Sequence, residues 1–221
     1  MKIGFLGTGH ITSSVIEGIL KSKLKIKKIY ISPRNRLISK KLSKKFKKVS
    51  ISKSNQQLIN MANWVFLAVT PKVAHKILKD LNFKKTQKIV SFISTINLDK
   101  LKKFTKNKNI TRVIPMPFIG IKKGPIIICP RDKKVKKFFD KLGTTIEIKN
   151  EKISKNFWTT SSFMAPFYQI MTTTSDWLVR KGVSRKAAEN YSREFFLALS
   201  QDSIFKNKLS LKQLVSESQT P

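Results

Sequence analysis

The 221 residues are 40% hydrophobic and 10% aromatic, enough to bury about 70% of the unfolded chain's surface in one large domain or two small ones, and too apolar for a disordered chain. A single cysteine, Cys129, excludes an internal disulfide framework and a cysteine-only zinc site; two histidines argue against a histidine-rich metal cluster; and no apolar run approaches the roughly 18 residues of a membrane span. The net charge of +34 rests on 39 Lys and only 7 Arg, and with 26 Ile against 7 Ala it reads as a biased codon pool and a solvated lysine surface rather than a specific nucleic-acid site. Salt-sensitive, nonspecific adhesion to nucleic acid is still expected. The opening Met1-Lys2-Ile3-Gly4-Phe5 is too short in apolar residues for a secretory signal, so a soluble cytoplasmic protein without a membrane partner is expected.

In chain order, residues 2–7 read as a short buried strand ending in glycine. Ile11, Val15, Ile19 and Leu20 have helical spacing over 10–22. Residues 28–32 form a second strand, followed by a lysine-rich helix with Leu37, Ile38, Leu42 and Phe46 on one face. Val49 to Ile51 is a strand and Gln56 to Met61 a helix. The continuous apolar run Trp64 to Val69 marks a strand covered on both faces. Pro71 opens a helix carrying Val73, Ile77, Leu78 and Leu81. Ile89 to Ile93 and Thr111 to Ile114 are strands, and Ile126 to Cys129 and Thr144 to Ile148 flank a helix at 132–141. This alternation implies an α/β, Rossmann-like, doubly wound and mainly parallel sheet.

After that the strand signals stop. A helix is predicted over 154–181, ended by Gly182, with Ser184 capping the next and Leu211 to Ser216 forming a third. The stripes Phe163, Phe167, Ile170, Trp177 and Ala187, Tyr191, Phe195, Phe196, Leu199 read as core, with docking onto a second subunit to complete it. Residues 1–153 carry 33 Lys and 4 Arg against 7 acids, and residues 154–221 carry 6 Lys and 3 Arg against 5. That shift sets the expected domains at 1–152, binding a dinucleotide, and 153–221, a smaller all-helical domain for dimerisation and substrate.

The sharpest motif is Gly7-Thr8-Gly9-His10-Ile11-Thr12, between the first strand and the first helix. Gly7 permits the tight turn, Gly9 lets the backbone approach a pyrophosphate, and the helix N-terminus offers free N–H groups; Thr12 stands where the fingerprint has a third Gly or Ala. The end of the second strand is Ser32-Pro33-Arg34-Asn35-Arg36. It lacks the acid that holds an NAD ribose, and its hydroxyl and arginines suit a 2′-phosphate, so NADPH is predicted over NADH. His10 is expected to pack beside the cofactor and His75 to lie on the surface.

Several segments resemble pyrroline-5-carboxylate reductase. Ile3 to Ile11 is similar to that family's glycine loop, and Asn55 matches an asparagine used near the adenosine. Phe66-Leu67-Ala68-Val69-Thr70-Pro71 resembles "FLAVKP", and Arg112 to Pro117 resembles the segment leading to "MPN". Ser162 to Tyr168 resembles "SGSGPAY", Gly182 to Ala187 the "G(L/V)xxxxA" turn, and Leu214 to Pro221 the start of "SPGGTT". The resemblance implies direct hydride transfer from NADPH to a cyclic imine, 1-pyrroline-5-carboxylate, giving proline. It implies a homodimer or higher homo-oligomer, and an active site between the two domains. Its cofactor contacts are Gly7, Thr8, Gly9, His10, Ile11, Ser32, Arg34, Asn55, Ala68, Val69, Pro71 and Met116; Ser162 and Thr220 meet the substrate; no metal is needed. Phe118, Phe163, Met164 and Ala165 depart from the pattern by adding bulk near the substrate. The alternatives are a related dehydrogenase, of β-hydroxyacid or deazaflavin-linked type, and a non-catalytic NADP-binding protein whose pocket is filled by these side chains. For a β-hydroxyacid type, Lys155 is the only lysine between Lys152 and Lys181, without the glycine and asparagine pattern expected around a catalytic lysine.

Overall fold

The computed structural model describes residues 1–219. The chain divides into two compact units, Met1–Thr159 and a second beginning at Thr160.

The first unit holds a sheet of eight strands in the order β3-β2-β1-β4-β5-β6-β7-β8. These are β1 (Lys2–Leu6), β2 (Lys28–Ile31), β3 (Val49–Ile51), β4 (Trp64–Leu67), β5 (Lys88–Ser91), β6 (Ile110–Ile114), β7 (Pro125–Cys129) and β8 (Thr144–Glu147). All neighbours pair in parallel except β6 with β7. The helices are α1 (His10–Lys21), α2 (Arg36–Lys45), α3 (Asn55–Met61), α4 (Pro71–Ile77), α5 (Leu98–Thr105), α6 (Lys133–Phe139) and α7 (Glu151–Thr159). The strand period of two divides the core. Ile3, Phe5, Phe66 and Val90 face one side and pack with Val15, Ile16 and Ile19 of α1, Leu42 of α2 and Val135 of α6. Leu6, Val65, Leu67 and Ile89 face the other, against Leu58 of α3, Ala74 of α4 and Leu101 of α5.

Two features of this unit depart from the sequence reading. α5 is an added helix: Asn97 caps it by accepting from Lys100 N at 2.9 Å, and Leu98, Leu101 and Phe104 are buried. Leu37 does not join the buried face of α2; it is 80% exposed, because it sits in the first turn, where the helix borders a cleft rather than the sheet. Ile153, at the charge transition, lies inside α7, which is part of the first unit.

The second unit holds α8 (Met164–Arg180), α9 (Arg185–Phe205) and α10 (Leu211–Glu217). The single helix expected over 154–181 is two helices, α7 and α8, separated by a 3-10 turn at Thr160–Phe163. Gly182 (φ +93) reverses the chain after α8, and the Ser184 hydroxyl accepts from Ala187 N at 3.4 Å to start α9. Small side chains, Ser175, Ala188 and Ser192, are buried in this hairpin. The aromatic stripes are not its core: Phe163, Phe167, Ile170, Trp177, Tyr191, Phe195 and Leu199 are all exposed, since one pair of helices has too little surface to cover them.

Candidate cofactor cleft

The glycine loop is fixed by its neighbours. Gly7 has φ +109, and a Cβ there would lie 2.4 Å from the carbonyl oxygen of Ala68, so the turn between β1 and α1 closes only with glycine. The Thr12 hydroxyl, fully buried, donates to the Gly7 carbonyl at 3.0 Å and locks the loop from below. Thr12 therefore does not take the close-packing role of the fingerprint's third glycine. Gly18 does: a Cβ there would lie 2.2 Å from the Ile119 carbonyl oxygen, in the turn Pro117–Ile121 that packs on α1.

Gly9 precedes α1, and no side chain caps the helix there. A Cβ on Gly9 would meet no protein atom within 4 Å. With no side-chain cap, the N–H groups of the first turn are left without an acceptor from the cap residue, and a helix start of this kind can accept a phosphate.

The end of β2 is tied to the loop through Ser32. Its carbonyl accepts from Ser39 Oγ at 3.0 Å and from Thr8 Oγ1 at 3.4 Å, and its hydroxyl donates to Asn55 Oδ1 at 3.0 Å. Around this hub lies a cleft of about 660 Å³, at the carboxyl ends of β1, β2 and β4. The structure brings Gly7, Thr8, Gly9, Ser32, Arg34, Asn55, Ala68 and Val69 together on its walls. Arg36, Leu37 and Val73 also line it. The helical periodicity sets Leu37 on one apolar face and Val73 on the helix opened by Pro71; periodicity alone does not distinguish a core face from the wall of a cleft.

The other expected residues lie elsewhere. His10 is exposed at the start of α1, and Ile11 packs against the core; neither lines the cleft. Pro71 fills the first turn of α4, below the cleft-lining Thr70. Met116 precedes the Pro117–Ile121 turn, outside the cleft. Phe118 of that turn packs toward Gly124, where a Cβ would lie 2.7 Å from its ring, and it does not enter the cleft. Ser162 is exposed on the 3-10 turn opening the second unit, and Thr220 lies outside the described residues. His75 is exposed, its ring edge-on to Phe104 at 5.3 Å. Among the described residues no cluster of three or more His, Cys, Asp or Glu side chains could hold a metal, and no helix is long and apolar enough to cross a membrane.

The cleft offers a helix start for a pyrophosphate, hydroxyl and amide groups for a ribose, and two arginines, with no lining carboxylate among the described residues. Comparison with known proteins agrees with this construction. Residues 2–98 match the family described as NADP oxidoreductase, coenzyme F420-dependent. Pyrroline-5-carboxylate reductase 3 of Danio rerio is 27% identical over 138 residues, covering 58% of this chain and 46% of that protein, so the chain matches about half the relative's length. The fold is that of solved pyrroline-5-carboxylate reductases. The Streptococcus pyogenes structure superposes with a TM-score of 0.81 at 23% identity, covering 100% of this chain and 86% of that one. The Plasmodium falciparum structure, which has NADP bound, gives a TM-score of 0.84 at 23% identity, covering 100% and 85%.

Proposed function

We propose, from the chain's likeness to pyrroline-5-carboxylate reductases, that it is an NADPH-dependent reductase converting a cyclic imine, 1-pyrroline-5-carboxylate, to proline. The observation that carries this reading is the cleft around Gly9, walled by Ser32, Arg34, Arg36 and Asn55 and lacking a carboxylate.

The cleft fits the cofactor on the chain's own features. The open space at Gly9 admits a pyrophosphate against the first turn of α1. Arg34 and Arg36, both exposed, are placed to pair with a 2′-phosphate, where an acid would select NADH. Asn55 is oriented by Ser32 toward the adenosine ribose, and Leu37 supplies an apolar wall for the adenine.

When bound, the reduced nicotinamide supplies a hydride to the carbon of the C=N bond, whose nitrogen already carries the proton, so that the amine and NADP⁺ result. A protonated imine is electrophilic without further activation. The work of the chain is therefore to hold the two reactants at near-attack distance and to keep water away. Ser162 is assigned by resemblance to a hydrogen bond with the substrate, and Thr220 to the start of a loop for its carboxylate.

The partner is a second copy. The exposed stripe of Phe167, Trp177, Tyr191 and Phe195 on α8 and α9 is too apolar to face water and suits a two-fold related hairpin. Sedimentation of the purified chain tests this: a dimer is expected, and Trp177→Glu should release monomer.

Loss of reduced-nicotinamide absorbance with 1-pyrroline-5-carboxylate tests the activity. NADPH binding without turnover of any cyclic imine or hydroxy acid would replace it with a non-catalytic binding role.

A further inference from the structure

The cofactor cleft takes in the ends of β1, β2 and β4. In the order β3-β2-β1-β4-β5-β6 the sheet switches direction of growth between β1 and β4. A dinucleotide lies across such a point, so its second half falls over the ends of β4, β5 and β6. A second cavity of the first unit lies there. Ser94, Thr95, Arg112 and Ile114 form one side, and Lys155, Trp158 and Thr159 of α7 the other, enclosing about 350 Å³, the size of a small-molecule pocket. Phe92 N donates to the Leu67 carbonyl at 2.9 Å, so the chain entering this cavity runs beside Ala68 and Val69 on the wall of the cleft.

One ion pair ties both sides of this cavity. Arg112, only 1% exposed in the middle of β6, donates from Nη2 to the Ile96 carbonyl, in the turn between β5 and α5. Its Nη1 lies 2.7 Å from Glu151 Oε1, and the same oxygen accepts from Leu98 N, the first residue of α5, at 2.9 Å. Arg112 and Glu151 thus hold the far end of the turn that carries Ser94 and Thr95. Its near end is held by Ile93 N, which donates to Ser91 Oγ at 3.2 Å. Glu151 is also the first residue of α7, the helix that carries Lys155, Trp158 and Thr159. The opposite wall therefore starts from the same carboxylate.

Stability does not account for the pair. Desolvating two charges costs about what their attraction returns, and apolar residues of similar volume often hold a core as well or better. Burial pushes the Arg112 pKa down more than Glu151 pulls it up, which is the sign of that cost. What the pair supplies is direction, because a planar guanidinium donates along fixed lines to two separate acceptors. We infer that Arg112 and Glu151 are positioning residues for the reacting half of the cofactor, fixing the two walls between which the nicotinamide is seated. Both act through the turn and the helix that they hold. The inference rests on the NADPH reading and not on which imine is reduced.

Removing one partner alone would bury an unpaired charge and can unfold the unit, so the two are replaced together. Arg112→Met with Glu151→Leu fills the space without the tie. The wild type and this double variant are titrated with NADPH and with 2′,5′-ADP, which carries the 2′-phosphate and lacks the nicotinamide. Nicotinamide emission on binding and thermal melts are read alongside. The double variant should melt near the wild type and keep its Kd for 2′,5′-ADP. Its Kd for NADPH should rise about five- to tenfold, and the emission shift of the bound nicotinamide should be lost. Glu151→Asp keeps the charge on a shorter arm and should fall between the two; it reads the same contrast if the double variant fails to fold. NADPH affinity and emission that ignore these changes, or equal losses for NADPH and 2′,5′-ADP, overturn the inference. So does a wild type that binds NADPH no more tightly than 2′,5′-ADP. The expected contrast in a chain that reduces no imine upholds the positioning role and overturns the reductase reading instead.

Discussion

Ser32 Oγ donates to Asn55 Oδ1 at 3.0 Å, joining the end of β2 to the first residue of α3 across the mouth of the cofactor cleft. Because Ser32 is buried and its carbonyl also anchors Thr8 and Ser39, this one residue sets the spacing of the glycine loop, α2 and α3. Asn55→Ala should leave the Ser32 hydroxyl without its acceptor, lowering stability by about 1 kcal/mol. If Asn55 meets the ribose as proposed, the Kd for NADPH should rise by roughly three- to tenfold. Denaturant melts and a fluorescence titration of NADPH read the two effects.

Arg34 and Arg36 face the cleft from the loop after β2 and from the first turn of α2, and both are exposed. Alanine at either position should weaken NADPH about tenfold while NADH changes far less, since only NADPH carries the 2′-phosphate. The difference should shrink at high salt because exposed charges are screened. Equal losses for both nucleotides would assign the arginines a general role.

Three glycines separate cofactor space from fold space. A Cβ on Gly9 would meet no protein atom within 4 Å, so Gly9→Leu should fill the space in front of the helix start, abolish NADPH binding and leave the melting temperature nearly unchanged. Gly18→Ala drives a Cβ to 2.2 Å from the Ile119 carbonyl and should destabilise the chain by about 1–3 kcal/mol. Gly7→Ala adds strain at φ +109 to a clash with Ala68 and should lose both stability and binding.

Asp132 caps α6, receives Lys88, and accepts from Thr111 Oγ1 at 3.2 Å. Burial alone would raise its pKa, but the hydrogen bonds from Lys88, the Val135 N–H and Thr111 and the Lys88 charge outweigh it, and the carboxyl titrates below its ordinary value of 3.8. A folded pKa below the unfolded one means the stabilisation is complete above the unfolded value and is lost as pH falls through the folded one. Stability should therefore decline below about pH 4, in the range of the unfolded carboxyl. Asp132→Asn should flatten that decline and cost about 3 kcal/mol at neutral pH by leaving Lys88, a nearly buried ammonium, unpaired. Thermal melts across acidic pH test both.

Much of the first unit was legible because a parallel sheet buried on both faces leaves unbroken apolar runs such as Trp64 to Leu67, and because Gly7 and Gly9 follow a strand at once. α5 was missed although Asn97, Leu98, Leu101 and Phe104 carry its cap and its spacing; the intervening lysines mask a short apolar face. Gly18 was missed because its reason is a long-range contact with Ile119. Leu37 and the stripe of Phe167, Trp177 and Phe195 show a more general gap. Periodicity reports that a face is apolar, and not whether the chain's own core, a ligand or another chain covers it. Arg112 had a signal, a cation inside a strand of β-branched residues, but its partner, Glu151, is brought to it by the fold from α7.

The measurement that tests the account most directly is NADPH oxidation by the purified chain with 1-pyrroline-5-carboxylate, at moderate salt, beside Gly9→Leu. The account predicts turnover by the wild type that is lost in Gly9→Leu at unchanged melting temperature. Turnover that survives in Gly9→Leu, or wild-type protein that binds NADPH and consumes none, would contradict it.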